Sequence, residues 1–136
     1  MAYFLAKTEP HEYSIDDLQA AGVDTWDGVT NALAVRHLIA MEPGDYVLIY
    51  HSGETAIVGL AQVVGESRPD PELPKSWLRD FKFITKYDPP IATLGDIKEA
   101  GQFTDFGLVR MGRLSVMEVP DAVLSWLNER GAKLPS

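Results

Sequence analysis

Three short runs carry most of the side chains in this sequence with chemistry to offer: Lys7-Thr8-Glu9-Pro10, Trp26-Asp27-Gly28-Val29-Thr30-Asn31 and Tyr50-His51-Ser52. A lysine of lowered pKa could activate a neighbouring threonine hydroxyl as a nucleophile, so the first run carries the one enzymatic reading. Three consecutive residues fan out around a strand end, however, so Lys7, Thr8 and Glu9 do not converge on one point. His51 and Ser52 are adjacent on a predicted strand and project to opposite faces, which rules against a Ser–His catalytic pair. Tyr50 and Ser52 share a face and make a pocket wall. His51 reads either as a contact to a base or phosphate or as a satisfied structural histidine.

Trp26 precedes Asp27-Gly28, which places it on a turn-rich loop rather than in a periodic apolar face. An indole beside a glycine can stack on a base, an interaction worth about 1–3 kcal/mol. The competing reading is a tryptophan folded back over the core. Asn31 offers a donor and an acceptor to a base edge, but it also stands where it would cap a helix beginning at Ala32. In a third arrangement it caps the helix and the helix end faces a ligand. Trp77 is either a second aromatic wall or a residue that packs a long loop. Trp126 is expected in the core. Arg36, Arg110 and Arg113, with Lys7, are the candidate phosphate contacts.

Composition narrows the choices. There are no cysteines, and His11, His37 and His51 are far apart with no H-x-x-x-H spacing, so neither thiolate chemistry nor a metal site is expected. No cofactor is expected either. No apolar run approaches a membrane span, and the first residues are too short a hydrophobic run for a secretory signal. A soluble, cytoplasmic protein of one domain over residues 1–136 is the expectation. Twelve basic against twenty acidic residues give a formal charge of −8. That argues against a protein that coats a duplex backbone, but not against one that takes up a single base.

The elements that must position these groups follow from local pattern. Tyr3 to Lys7 reads as a strand stopped by Pro10. Ser14 with Asp17 forms a capping box for a helix over Ile15 to Ala21, and Gly22 ends it. Asn31 opens a second helix to Met41. Tyr46 to Ser52 and Ala56 to Glu66 are strands, with Gly59 marking a bulge or a close backbone approach. Ser67 to Ser76, with three prolines, is irregular. Asp80 to Tyr87 alternates as a half-buried strand. Thr93 with Asp96 caps a helix over Leu94 to Ala100. Leu114 to Val119 is a last strand, and a helix from Asp121 ends near Gly131 with Val123, Leu124 and Leu127 inward. Strands interrupted by short helices without a βαβ rhythm predict an α+β fold with a curled sheet or small barrel.

Taken together, KTEP at Lys7 to Pro10, WDGVTN at Trp26 to Asn31, YHSGE at Tyr50 to Glu54 and RLSVMEV at Arg113 to Val119 resemble the EVE domain. This is the domain of the thymocyte nuclear protein family and of many small bacterial proteins. The resemblance implies a PUA-like curled sheet or barrel, related to the YTH domain, and a non-catalytic reader of a modified base, chiefly modified cytosine in DNA. It implies a nucleobase site on Lys7, Thr8, Glu9, Pro10, Trp26, Gly28, Val29, Asn31, Tyr50, His51 and Ser52. The partner implied is nucleic acid, DNA or RNA, carrying a modified base, with an effector protein as a further possible partner. The sequence departs from the family at Thr8, where serine is more common, and at Thr30-Asn31-Ala32-Leu33, where Arg-Asn-Tyr-Gln is common. Two rivals are a small amidohydrolase, since Lys7, Thr8 and Glu9 resemble the trio of the related ASCH group, and a protein-interaction domain without a nucleotide ligand.

Overall fold

The computed structural model describes residues 1–136. In chain order the elements are β1 (Tyr3–Thr8), α1 (Ile15–Ala21), β2 (Val23–Trp26), α2 (Ala32–Ala40), β3 (Tyr46–His51), β4 (Ala56–Pro69) and β5 (Trp77–Lys86). They continue with β6 (Ala92–Thr93), α3 (Leu94–Ala100), α4 (Gly107–Arg110), β7 (Val116–Glu118) and α5 (Asp121–Glu129). The strands form one mixed sheet in the order β2-β5-β4-β3-β1-β7, with β6 on β4. The chain is therefore α+β, with short helices flanking a curled sheet.

The centre of the sheet is its most apolar part. Tyr3 to Ala6 and Val47 to Tyr50 are continuous buried runs, the pattern of strands covered on both faces. They pair in parallel, from Tyr3 opposite Tyr46 to Thr8 opposite His51. This parallel register brings the carboxyl ends of β1 and β3 to the same edge of the sheet. β7 runs antiparallel on the other side of β1, with Ala6 opposite Val116, so the segment entering β7 arrives at that edge too.

Curvature comes from β4. Its pairing slips between Ile49 and Tyr50 against β3, and again at two places against β5. Such bulges bend and twist a strand. Gly59, where the sequence predicts a bulge or close approach, stands beside the first slip, and a Cβ there would overlap Ile15 Cδ1 of α1. Only glycine lets α1 lie this close to the sheet.

Both predicted capping boxes are present, Ser14 with Asp17 and Thr93 with Asp96, and the helices they start have the expected bounds. The segment around Trp26 differs from expectation. Val23–Trp26 is a strand paired antiparallel to β5, with Trp26 opposite Arg79, and β5 begins at Trp77 rather than Asp80. Trp26 is therefore no loop residue: it is 8% exposed and packs on Phe81 at 5.2 Å between ring centroids. Trp126 is the reverse case. It is half-buried on α5, edge-on to Phe103 and covered by the Arg130 guanidinium at 4.8 Å.

Candidate functional site

A cleft of about 560 Å³ opens where the ends of β1, β2 and β3 meet the approach to β7. Its size lies within the range of small-molecule sites. Each wall has a local cause. After β1, residues Glu9 to Tyr13 fold into a helical turn in which the Glu9 carbonyl accepts from the N–H groups of Glu12 and Tyr13. The Thr8 hydroxyl donates to the Tyr13 carbonyl at 2.7 Å. Together these bonds bring Tyr13 to the cleft wall beside Trp26, with ring centroids 6.0 Å apart and planes at 90°. Tyr13 is held from its far end too, since its hydroxyl donates to Asp24 at 2.6 Å. Burial first, and then that bond to a carboxylate, raise its phenol well above the ordinary tyrosine range.

The opposite wall is Gly112, Arg113 and Ser115. Lys7 ties it to β1, because its Nζ donates to the Gly112 carbonyl at 2.8 Å while lying 5.7 Å from the Tyr50 ring centroid. Partial burial lowers the Lys7 pKa. Ser52 closes the β3 side, with its N–H on the Thr8 carbonyl at 2.9 Å. The turn after β2 contributes Asp27 and Gly28. Gly28 has φ of +73°, a conformation that favours glycine. The charged side chains lining the cleft are Glu9, Glu12, Asp27, Lys7 and Arg113. The interior is thus rich in hydrogen-bonding groups without being cationic.

Of the residues singled out from sequence, the cleft gathers Lys7, Thr8, Glu9, Trp26, Gly28, Ser52 and Arg113. The others lie elsewhere, for definite reasons. His51 is 5% exposed; its Nε2 accepts the Ile15 N–H at 3.0 Å and its Nδ1 lies 2.6 Å from Glu54. Those bonds make it the pin that holds the start of α1 to β3, the structural alternative. Tyr50 is 3% exposed, beneath Lys7 rather than on the surface. Val29 is buried, and its carbonyl accepts from the Ser76 hydroxyl at 2.6 Å. Pro10 shapes the turn after β1 without lining the cleft.

Asn31 caps α2, its Oδ1 accepting from Leu33 and Ala34 N–H, and it borders a neighbouring hollow instead. Trp77 pairs with Pro69 where β4 ends and β5 begins, and it does not line the cleft. Arg36 is exposed on α2 away from the cleft, and Arg110 sits 4.0 Å from Asp105. Of the three arginines expected at a phosphate, Arg113 alone lines the cleft.

Sequence reading missed Glu12, Tyr13, Thr25, Asp27, Gly112 and Ser115. Thr25 and Asp27 flank a residue that was singled out. Tyr13 carried no signal, because only the turn at Glu9 swings it back over Thr8. No three His, Asp or Glu side chains gather closely enough to hold a metal ion, and no helix is long and apolar enough to cross a membrane.

Comparison with known proteins agrees with the fold. The EVE domain family model matches residues 2–130. Thymocyte nuclear protein 1 of Rattus norvegicus is 41% identical over 81 residues, covering 50% of this chain and 36% of that protein. The match spans only about a third of the length of the curated relatives. Protein PSPTO5229 of Pseudomonas syringae superposes with a TM-score of 0.82 at 35% identity, covering 93% of this chain and 99% of that one. Human THYN1 protein, solved in complex with DNA containing 5-methylcytosine, superposes with a TM-score of 0.84 at 25% identity, covering 99% of this chain and 100% of that one.

Proposed function

This chain belongs to the EVE domain family, and from that premise we propose that its cleft holds one nucleobase, a modified cytosine, without catalysing a reaction on it. One observation carries the reading: the Tyr13 and Trp26 rings meet at 90° along one side of a polar cleft. A base is a flat aromatic plate with a hydrogen-bonding rim. Laid on the Tyr13 ring, it turns its edge toward Trp26 and its rim toward the polar walls. Thr8 Oγ1 donates its one hydrogen bond to the Tyr13 carbonyl and keeps its lone pairs as an acceptor, suited to an exocyclic amine. The Ser52 hydroxyl is held only loosely, 3.5 Å from the Thr8 carbonyl, and can turn to a ligand. The DNA with 5-methylcytosine bound by the human relative supports the choice of base.

The amidohydrolase reading loses its key contact. It needs Lys7 to take the Thr8 proton, but Lys7 Nζ bonds the Gly112 carbonyl and the Thr8 hydroxyl bonds the Tyr13 carbonyl. The two groups are directed at different partners. A reader of this size pays a few kcal/mol to extrude a base from a duplex, so single-stranded ligands bind more tightly.

The test is a titration followed by tryptophan fluorescence with 5-methyldeoxycytidine, its ribose counterpart, deoxycytidine and thymidine. The methylated cytosine binds best, and Tyr13→Ala weakens it about 5- to 150-fold, the loss expected for one stacking contact. Acylated cytidine incubated with the protein stays intact. Absence of nucleoside binding, or binding indifferent to Tyr13→Ala, overturns the proposal. Turnover abolished in Lys7→Ala restores the enzyme reading.

A further inference from the structure

Beside the cleft lies a second, smaller hollow of about 300 Å³, lined by Asn31, Met111, Gly112, Arg113 and Leu114. Gly112 and Arg113 line both spaces, so they form a low ridge between them. The ridge is bare where it matters: a Cβ on Gly112 would meet nothing within 4 Å. The carbonyl of Gly112 is already engaged by Lys7, which fixes the height of the ridge. Arg113 is exposed and makes no ion pair within 4.0 Å, unlike Arg68, Arg110 and Arg130. Met111, beyond the ridge, is 44% exposed although large and apolar.

We infer that this hollow seats the nucleotide next in the strand to the base held in the cleft, with Arg113 on the phosphate that joins the two. The inference rests on the nucleobase reading of the cleft and adds the polymer to it: the unit recognised is a dinucleotide. Three features fit that occupant. The hollow adjoins the cleft across a glycine, and two linked nucleotides need such a low crossing. The guanidinium without a carboxylate stands at the crossing itself, where the linking phosphate must lie. The floor beyond it is a methionine and a leucine, and a thioether makes favourable contacts with aromatic rings, often at their edges. The start of α2 is not the phosphate site, because Asn31 already occupies the N–H groups of Leu33 and Ala34. A phosphate is left to Arg113.

The experiment compares 5-methyldeoxycytidine monophosphate with two dinucleotides, carrying a neighbour on the 5′ or the 3′ side, by isothermal titration against the full chain. One of the two dinucleotides binds about tenfold more tightly than the mononucleotide. Met111→Ser removes roughly 2- to 10-fold of that gain, the size of a sulfur–aromatic contact. Arg113→Gln flattens the slope of log affinity against log salt for that dinucleotide by about 0.7. Both side chains are exposed, and thermal melts check that the variants fold. If the mononucleotide binds as tightly as both dinucleotides, the inference fails and the base site stands. If none of the three ligands binds, the base site itself fails. A dinucleotide gain unchanged by Met111→Ser also overturns the inference, because it places the second nucleotide elsewhere.

Discussion

Thr8 and His51 face each other across the parallel pair β1–β3, yet their side chains serve different ends. The Thr8 hydroxyl reaches the turn that brings Tyr13 to the cleft wall, while the His51 ring turns inward to the Ile15 N–H. At one register position the sheet thus fixes both the turn that carries Tyr13 and the start of the first helix. That division of labour sets which substitutions touch binding and which touch folding.

Trp26 belongs to both categories. Trp26→Ala empties a buried site against Phe81 and costs about 3–5 kcal/mol of stability, the range for a large core aromatic. Trp126→Ala costs clearly less, since its ring is half-buried and covered by Arg130. Urea denaturation of the two variants, at unchanged m-values, ranks them. Equal losses, or a larger loss at Trp126, contradict the packing described. Trp26→Phe keeps most of the volume and is the variant in which to read the effect on binding.

The misplacement of these two tryptophans shows what was legible in the sequence. On a helix, Trp126 lies about 80° from the mid-line of the Val123–Leu127 stripe, as Leu124 does on the other side, and both come out half-buried. The stripe was readable, but its width was not. Helices α1 and α3 were readable to the residue because a capping box is a reciprocal bond three residues apart. Strand β2 was not, because it is only four residues long and Asp24 interrupts the β-branched Val23 and Thr25, and its conformation comes from pairing with Lys82, Phe81 and Asp80. The cleft was half legible for the same reason. Lys7, Thr8, Trp26 and Ser52 sit in recognisable runs, whereas Tyr13 and Gly112 reach it through a turn and a crossing set by tertiary contacts.

Alkaline pH should destabilise the fold in a defined window. Burial, before any other cause, pushes the phenols of Tyr3 and Tyr87 up to about 12, and their hydroxyls donate to the carbonyls of Pro135 and Ala132. A group whose folded pKa is raised contributes stability that is complete below its unfolded value near 10 and is lost as pH rises toward about 12. Denaturation midpoints measured from pH 8 to 12 therefore stay flat and then fall. Tyr87→Phe, which cannot ionise, shows a shallower fall. A midpoint that drops already between pH 8 and 9, or one that the substitution leaves equally steep, contradicts this.

Salt should weaken binding only slightly. Arg113 and Lys7 are the two cations at the cleft, set among three carboxylates, so a single-stranded ligand engages one or two phosphates. The slope of log affinity against log salt is then about −0.7 to −1.4. A slope near −6 means an extended backbone groove, which runs against a chain with a formal charge of −8, and it contradicts the single-base reading.

The most direct measurement is an NMR titration with a short single strand carrying one 5-methylcytosine, followed by contacts from its methyl group. The largest amide shifts are predicted at Thr8, Tyr13, Thr25, Gly28, Ser52 and Ser115, with methyl-to-ring contacts at Tyr13 or Trp26. An unmethylated strand of the same sequence gives smaller shifts at the same residues. Shifts centred instead on the Phe103 and Trp126 side of the molecule, or none in the cleft at saturating ligand, would contradict the account.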